Sequence, residues 1–407
     1  MKRIKMIIFG YGGRGRIYGD YALAFPEEYE VVAVVESNRE RREIAAEKMG
    51  CPVFEHYEDM FRANIFADFV AVATQDNQHE EHAIACMKNG YDLLLEKPIS
   101  NTLSGCRNIY KAACEYNRKV IVCHVLRYSP FYKRVNEIIE SGELGEIVTL
   151  QASENVGYYH QAHSYVRGPW RNKEESSPMI LAKCCHDMDI IRWLVGKRCE
   201  TISSFGGLHV FKEENAPENS AAYCSDCKVD CIYRAQTLYT DKTKVRFTGY
   251  FCNDRSDDEY VLQCLKHTQY DRCVFRCDND VVDHQVEIMQ FEGGMTATHS
   301  MTAFSRDIYR DLKIHGTKAE LVGVMEDNYI EVRPFGGEVR TIKWENEAFV
   351  GGHSGADQGM MHDIYLTLNG QQTSGTSYID VSIDSHLMSF AAEESRLNGG
   401  KAIQIQA

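Results

Sequence analysis

The sequence holds no apolar run long enough to cross a bilayer. Its longest, such as Val31 to Val35 and Phe69 to Ala73, are strand-sized against the ~20 residues a membrane helix needs. Positive charge is not in excess either. The 45 Lys and Arg against 59 Asp and Glu give a net charge of -14, with no concentrated basic patch, which argues against nucleic acid as a partner. No secretory leader is expected: the apolar run after Lys2, Arg3 and Lys5 is short and ends in glycines, unlike a signal peptide. No membrane association and a cytoplasmic location are therefore expected, and the 15 cysteines are expected mostly as free, buried thiols rather than a disulfide framework. The composition of disorder is absent as well, since 44% of residues are hydrophobic and 26% charged. At 407 residues the chain has the length of two domains.

What is present begins with a short apolar run, Met6 to Phe9, followed by Gly10-Tyr11-Gly12-Gly13-Arg14-Gly15 and a helix-compatible stretch to about Ala24. Strand, glycine turn and helix in that order form a dinucleotide-binding signature. Gly10 permits the turn, Gly12 lets a pyrophosphate approach the backbone, Gly15 lets helix and strand pack, and the helix start offers free N–H groups. The next strand, Val31 to Val35, ends in Glu36, where an acid accepts the ribose hydroxyls and repels a 2'-phosphate. NAD is thus expected over NADP, although Arg39, Arg41 and Arg42 lie close by. Strands at Phe69 to Ala73, Tyr91 to Leu95 and Val120 to His124 then alternate with helices at about Glu80 to Lys88 and Thr102 to Tyr116. Continuous apolar strands separated by helices predict a doubly wound parallel sheet over residues 1–125, with the cofactor across its carboxyl ends. Thr74, Asp76 and His79 follow one such end, and Glu96, Lys97 and Pro98 follow another.

Glu96-Lys97-Pro98 downstream of the glycine turn resembles the EKP motif of the glucose-fructose oxidoreductase, inositol dehydrogenase and MocA (Gfo/Idh/MocA) family of nicotinamide-dependent enzymes. The resemblance continues through Arg127-Tyr128, Ser141 to Ile147, His186-Asp187-Met188-Asp189 with Arg192 to Gly196, and Gly316 to Glu320, so it covers nearly the whole chain. It implies an N-terminal Rossmann domain, a C-terminal α+β domain on a large, mostly antiparallel open sheet, a sugar or cyclitol between them, and a homodimer or homotetramer. One position departs from it: many members carry aspartate four residues before the histidine matching His186, where this chain has Ala182 beside Lys183. In the resembling enzymes the X–Pro bond after the lysine is cis and turns its ammonium toward the cofactor. The residues read alike on their own terms. Lys97 at a buried strand end suits proton transfer, and His186, titrating near neutrality, suits a base that accepts a hydroxyl proton. Lys183, His186 and Asp189 at i, i+3, i+6 would share one stripe of a helix.

From about Ser129 the strand-helix rhythm stops, and residues 126–407 are expected to form the second domain. Val286, Ile288 and Phe291 alternate imperfectly before Glu292-Gly293-Gly294, and Met295, Ala297 and His299 resume, a hairpin signal. Ser382 to Leu397 reads as a helix and Lys401 to Ile405 as a last strand. Candidate sugar-holding residues are Arg127, His163, Tyr165, Arg167, Trp170, Arg171 and Lys183, together with Asn279, Asp280, Asp283 and His284; they supply donors, acceptors and aromatic faces. An insert at about 207–271 carries Cys224, Cys227 and Cys231, candidate ligands of a structural zinc that Cys252, Cys264, Cys273, Cys277 or a histidine would complete; free thiols are the alternative, and an iron–sulfur cluster ranks behind both. Three functions follow in order: an NAD-dependent dehydrogenase acting on a secondary hydroxyl of a sugar or cyclitol, an NAD-dependent glycosidase working by transient oxidation and elimination, and a non-catalytic NAD(H)-binding regulator.

Overall fold

The computed structural model describes residues 1–245, 247–252, 256–345, 355–371, 373 and 375–405. The first sheet has six parallel strands: β1 (Ile4–Phe9), β2 (Tyr29–Val35), β3 (Val53–Phe54), β4 (Phe69–Val72), β5 (Asp92–Leu95) and β6 (Val120–Val122). They lie in the order β3-β2-β1-β4-β5-β6, so the chain reverses direction across the sheet beside β1 and leaves a crevice over the carboxyl ends of β1 and β4. The apolar runs make these strands because both sheet faces are covered, and β4 is buried at all four positions. The Arg39–Met49 helix and the two-residue β3 were not expected from the sequence.

The second sheet has nine strands: β7 (Ile147–Asn155), β8 (Cys199–Gly207), β9 (His284–Phe291), β10 (Thr296–Thr302), β11 (Tyr309–Gly316), β12 (Ala319–Val324), β13 (Tyr329–Pro334), β14 (Arg340–Lys343) and β15 (Ile403–Gln404). Their order is β14-β13-β12-β11-β7-β10-β9-β8-β15. The pairings are antiparallel except β10 with β7. The fold is therefore the expected Rossmann sheet followed by a large, mostly antiparallel sheet, and the β9–β10 hairpin turns at Glu292–Gly294 as expected.

The face of β9 differs from the sequence reading. Gln285, Glu287, Met289 and Phe291 point inward, while Val286 and Ile288 are 45% and 59% exposed. Polar groups can occupy the inner face because they satisfy one another: the Ser204 hydroxyl donates to Glu287 at 3.2 Å, the Gln285 amide donates to Ser204 at 3.0 Å, and His299 Nδ1 lies 2.7 Å from Glu287 Oε2.

Two C-terminal helices return to the first sheet. Met360, Met361 and Ile364 of the Ala356–Leu368 helix join the apolar cluster of Ile8, Tyr18 and Tyr29, and Ile379, Ile383 and Leu387 of the Ile379–Leu397 helix pack with Leu95 and Val122. The Ile379–Leu397 helix also packs against β8 and the Cys185–Val195 helix, so it links the two sheets. Among the described residues, no helix is long and apolar enough to cross a membrane.

Candidate active site

The glycine turn joins β1 to the Gly13–Ala24 helix. Gly10 has φ +84°, and a Cβ there would stand 2.6 Å from the Ala73 carbonyl oxygen, so only glycine allows the turn to touch the loop after β4. At Gly15 a Cβ would stand 1.9 Å from the Gly10 oxygen. Gly12 and Gly13 face open space instead, with nothing within 4 Å of a Cβ at Gly13 and only Arg41 Nη1, at 3.7 Å, near one at Gly12. The helix thus begins under an open shelf, with its first N–H groups available to an anion.

Glu36, at the end of β2 and 7% exposed, accepts the Tyr11 N–H at 2.7 Å and the Asn38 N–H at 2.9 Å. These bonds fix the carboxylate beside the turn. Of the three neighbouring arginines, Arg39 pairs with Glu43, and Arg42 donates to the Glu36 and Ser37 carbonyls and pairs with Glu55. Arg41 alone of the three lines the cleft, a cavity of about 580 Å³ running from Gly10 and Gly12 past Glu36 to Thr74 and Asn77.

Arg14 turns from the cleft to Glu96 and to Asp357, the latter at 2.6 Å, and the Tyr18 hydroxyl also donates to Glu96. Burial would raise the Glu96 pKa, but the Arg14 charge, hydrogen bonds from Tyr18 and Arg14, and Lys97 hold it below the ordinary carboxylate value. The glycine-turn helix is thereby tied to the end of β5. His79, fully buried, ties the two strand-end loops: Nδ1 lies 2.8 Å from the Pro98 oxygen and Nε2 lies 3.2 Å from the Thr74 oxygen. The Thr74 hydroxyl lies 3.0 Å from His82 Nδ1, and Asp76 Oδ2 is buried without a partner among the described residues.

Beyond β5 the Lys97–Pro98 peptide is cis, and Lys97 Nζ donates to the Ala182 carbonyl oxygen at 2.9 Å. The position that lacks the aspartate of the resembling enzymes thus still receives the ammonium, through its backbone. His186, 4% exposed, is the second residue of the Cys185–Val195 helix. His124, just past β6, lies near both: its ring centroid is 6.2 Å from that of His186 and 5.7 Å from that of His386. Burial, reinforced by Arg127 and Lys97, pushes the His124 pKa well below the usual imidazole value, so this ring is neutral. His386 is lowered to about 3, mainly by burial; its Nε2 accepts the Ile99 N–H at 2.9 Å. The sequence reading passed over His124 and His386. A polar residue at the carboxyl end of a parallel strand was the available signal for His124.

Asp189 and Arg127 hold each other. The guanidinium donates Nε to Oδ2 at 2.7 Å and Nη2 to Oδ1 at 2.6 Å, both side chains are nearly fully buried, and the cation lies 5.6 Å from the Trp193 ring centroid. His124 Nε2 stands 3.6 Å from Asp189 Oδ1. The expected stripe of Lys183, His186 and Asp189 is broken, because one helix ends at Ala182 and the next starts at Cys185. Lys183 falls in the break and its Nζ points to Glu154, 3.4 Å away. Glu154 also pairs with Arg310, which donates to Asp187 at 2.8 Å.

The other polar candidates fasten the insert. His163 is sandwiched between Phe247 and Tyr270, at 4.7 and 4.8 Å with 11° between planes, and its Nδ1 lies 2.8 Å from the Tyr239 hydroxyl. Tyr165 is buried beside Trp170. Arg167 donates to the Arg272 carbonyl at 2.7 Å, and Arg171 pairs with Asp278 and Glu175. Asp283 accepts the His209 and Val210 N–H groups at 2.8 and 2.7 Å, His284 lies against Asp283, and Asn279 donates to the Phe211 carbonyl. Cys224, Cys227 and Cys231 meet at one small cavity with Cys273.

Comparison with known proteins agrees with this architecture. YteT of Bacillus subtilis (strain 168), a protein named as an oxidoreductase, is 25% identical over 371 residues, 84% of this chain and 83% of that protein. An inositol 2-dehydrogenase of Rubrobacter xylanophilus is 26% identical over 204 residues, 49% of this chain and 55% of that protein. Among solved structures, levoglucosan dehydrogenase in complex with NADH and levoglucosan superposes with a TM-score of 0.73 at 17% identity, covering 100% of both chains. Two family models match: residues 4–124 fit an NAD-binding Rossmann fold and residues 136–399 fit a C-terminal alpha/beta domain, and the chain belongs to that family, the GFO_IDH_MocA oxidoreductases.

Proposed function

We propose that this NAD-binding oxidoreductase oxidises a secondary hydroxyl of a sugar or cyclitol. The observation that carries the reading is that Lys97, at the end of β5, donates to the Ala182 carbonyl at 2.9 Å, at the close of the short helix that directly precedes the Cys185–Val195 helix bearing His186. The open shelf at Gly12 and Gly13 and the anchored Glu36 carboxylate fit a dinucleotide without a 2'-phosphate. The glycine turn and Glu36 would hold NAD, which would supply the acceptor for the carbinol hydride. The chain's own residues manage the proton: Lys97 and His186 flank the hydroxyl, one accepting its proton and the other donating a hydrogen bond to the oxygen. His124, neutral and buried near His186 and Asp189, holds the pocket wall, and the Arg127–Asp189 pair fixes the His186 helix against the turn that follows β6. Lys183 acts by anchoring the junction of the two helices. The levoglucosan and inositol enzymes among the relatives support a polyhydroxylated ring as the substrate class.

The division at residues 1–125 and 126–407 is supported by the two separate sheets. Assembly through the outer face of the second sheet, as a homodimer or homotetramer, is supported by exposed Phe205, Val286 and Ile288 on adjacent strands, where Phe205 pairs with Val286.

The test is a substrate screen over hexoses, cyclitols, sugar acids and aryl glycosides, following both NADH absorbance and aglycone release. Lys97→Ala and His186→Ala are each expected to lower kcat on the best substrate by ~10²- to 10⁴-fold while binding NAD normally. Full activity in both variants would move the site elsewhere, and aglycone release without NADH accumulation would replace the dehydrogenase reading by the redox-neutral one.

A further inference from the structure

The insert between β8 and β9 has small apolar clusters of its own, around Phe211, Tyr233 and Phe275 and around Tyr239, Val261 and Tyr270. Four cysteines converge where these clusters meet. Cys224 and Cys227 bracket a tight turn in which the Cys227 N–H donates to the Cys224 carbonyl at 3.2 Å. Cys231 follows, its carbonyl accepting the Arg234 N–H at 3.0 Å. The fourth comes from 42 or more residues further along the chain: Tyr223 bridges Arg272, and the Cys273 N–H donates to the Ala222 carbonyl at 2.9 Å. All four line the same small, largely apolar cavity, with Pro217, Val229 and Phe275 around it, whereas Cys252, Cys264 and Cys277 do not line it. All four are free thiols.

A second observation points to a charged occupant. Arg167 is 0% exposed. Its guanidinium donates Nε to the Arg272 carbonyl at 2.7 Å and Nη2 to the Tyr233 carbonyl at 2.9 Å, and Nη2 stands 3.6 Å from Cys224 Sγ. Nη1 is buried without a hydrogen-bond partner, and among the described residues no carboxylate pairs with this cation. A fully buried, uncompensated guanidinium is among the costliest arrangements a fold can hold. Carbonyl oxygens satisfy its hydrogens but leave its charge standing. Neutral thiols would leave it standing too, whereas four thiolates around a divalent metal carry a net charge of about −2.

We propose that Cys224, Cys227, Cys231 and Cys273 are the ligands of a thiolate-bound metal centre, a zinc ion or an iron–sulfur cluster, whose negative charge neutralises Arg167. The spacing C-x2-C-x3-C plus one distant cysteine serves either. No three of these sulfurs fall within 4.8 Å of one another; among the described residues, the set of ligand atoms that does so is Cys184, Asp187 and His299, between the His186 helix and the second sheet. Sulfurs around a lone zinc stand about 3.8 Å apart for Zn–S bonds of about 2.3 Å, so zinc would draw the thiols inward while a polynuclear cluster would hold them wider. In either form the centre clamps the Cys224 turn to the Cys273 segment, and so holds the insert, with the cage around His163, in place.

The experiment is metal analysis of the full-length protein purified without oxygen or chelator, with acid-labile sulfide and the absorbance near 400 nm measured on the same sample. About one zinc per chain without sulfide supports the zinc form, and iron with matching sulfide and a brown chromophore supports the cluster. Cys273→Ser should lower the metal content at least tenfold, while Cys114→Ser, on an exposed helix face, should leave it unchanged. Because Cys273→Ser could also unfold the insert, native mass spectrometry of the unmodified protein gives an independent reading: the intact chain should carry the metal mass and shed it on acidification. Fewer than about 0.1 zinc or iron per chain in the unmodified protein, or undiminished metal in a folded Cys273→Ser variant, overturns the proposal. The second result would move the metal to Cys184, Asp187 and His299.

Discussion

Removing the Glu36 carboxylate should change cofactor choice more than cofactor binding as such. In the structure this side chain accepts two backbone N–H groups, from Tyr11 at 2.7 Å and Asn38 at 2.9 Å, and the rest of its acceptor capacity faces the cleft. Hydrogen bonds to a charged group contribute roughly 1.5–3 kcal/mol each. A ribose that donates two hydroxyls to Glu36 therefore loses roughly 3–6 kcal/mol in Glu36→Ala, or about 10²- to 10⁴-fold in Kd. A 2'-phosphate has no such bonds to lose. It is instead relieved of repulsion that amounts to about 4 kcal/mol for unit charges 4 Å apart near a protein surface, and Arg41 remains in the cleft to meet it.

Isothermal titration with NAD and NADP should show NAD affinity falling at least ~100-fold while NADP affinity holds or rises. Glu36→Ala also strips two amides of their acceptor, which by itself would loosen the turn and weaken both ligands. Glu36→Gln separates the effects, because it keeps an acceptor for Tyr11 or Asn38 and lacks the charge. Tighter binding of NADP than NAD by the unmodified protein would refute the reasoning, as would equal weakening of both ligands in Glu36→Gln.

Gly15→Ala should abolish NAD binding and destabilise the first domain, because its Cβ would meet the Gly10 oxygen at 1.9 Å, while Gly13→Ala, with nothing within 4 Å, should leave the thermal midpoint nearly unchanged; equal midpoints would contradict the turn geometry. Asp189→Asn should cost roughly 3–5 kcal/mol in urea unfolding followed by tryptophan fluorescence, since it leaves Arg127 buried and unpaired, and Arg127→Met with Asp189→Leu should recover most of that loss; a loss below about 1 kcal/mol in the single variant would show the pair is not desolvated. The His163 pKa is lowered to about 3, chiefly by burial, so between pH 6.5 and 3 the unfolded chain binds a proton the folded chain does not. Stability should accordingly be full above about pH 6.5 and fall as the pH drops, by up to ~1.4 kcal/mol per unit for this residue. His163→Phe, which keeps the stack, should flatten the urea midpoint against pH in that window, and an unchanged slope would mean the ring is protonated in place.

The first sheet was legible because each of its strands except β3 is a self-contained signal: an apolar run buried on both faces, ended by a turn and followed by a helix. β3 has two residues, too few to carry a pattern, and it exists because β2 offers it an edge at Val34 and Val35. The second sheet was legible in class but not in facing. Alternation assigns the inner face to apolar side chains, and β9 reverses that locally, since Glu287 lies inside with Ser204 and His299 to satisfy it while Ile288 lies outside. The same difficulty limits the site. Lys97 and His186 stood out as candidates because each stands in a motif, whereas what surrounds them is fixed by contacts between distant segments: Arg127 with Asp189, 62 residues apart, and Ile99 with His386, 287 apart. Sequence spacing put Asp189 on a stripe with His186 as a candidate for proton transfer. The tertiary partner decides otherwise for its carboxylate, because a bidentate guanidinium in a buried setting keeps it engaged. Complete burial, reinforced by the nearby Arg127 and Lys97 cations, explains the neutrality of His124 by disfavouring a further positive charge there, and this is why the proposed mechanism assigns the proton to Lys97 and His186 and not to this ring.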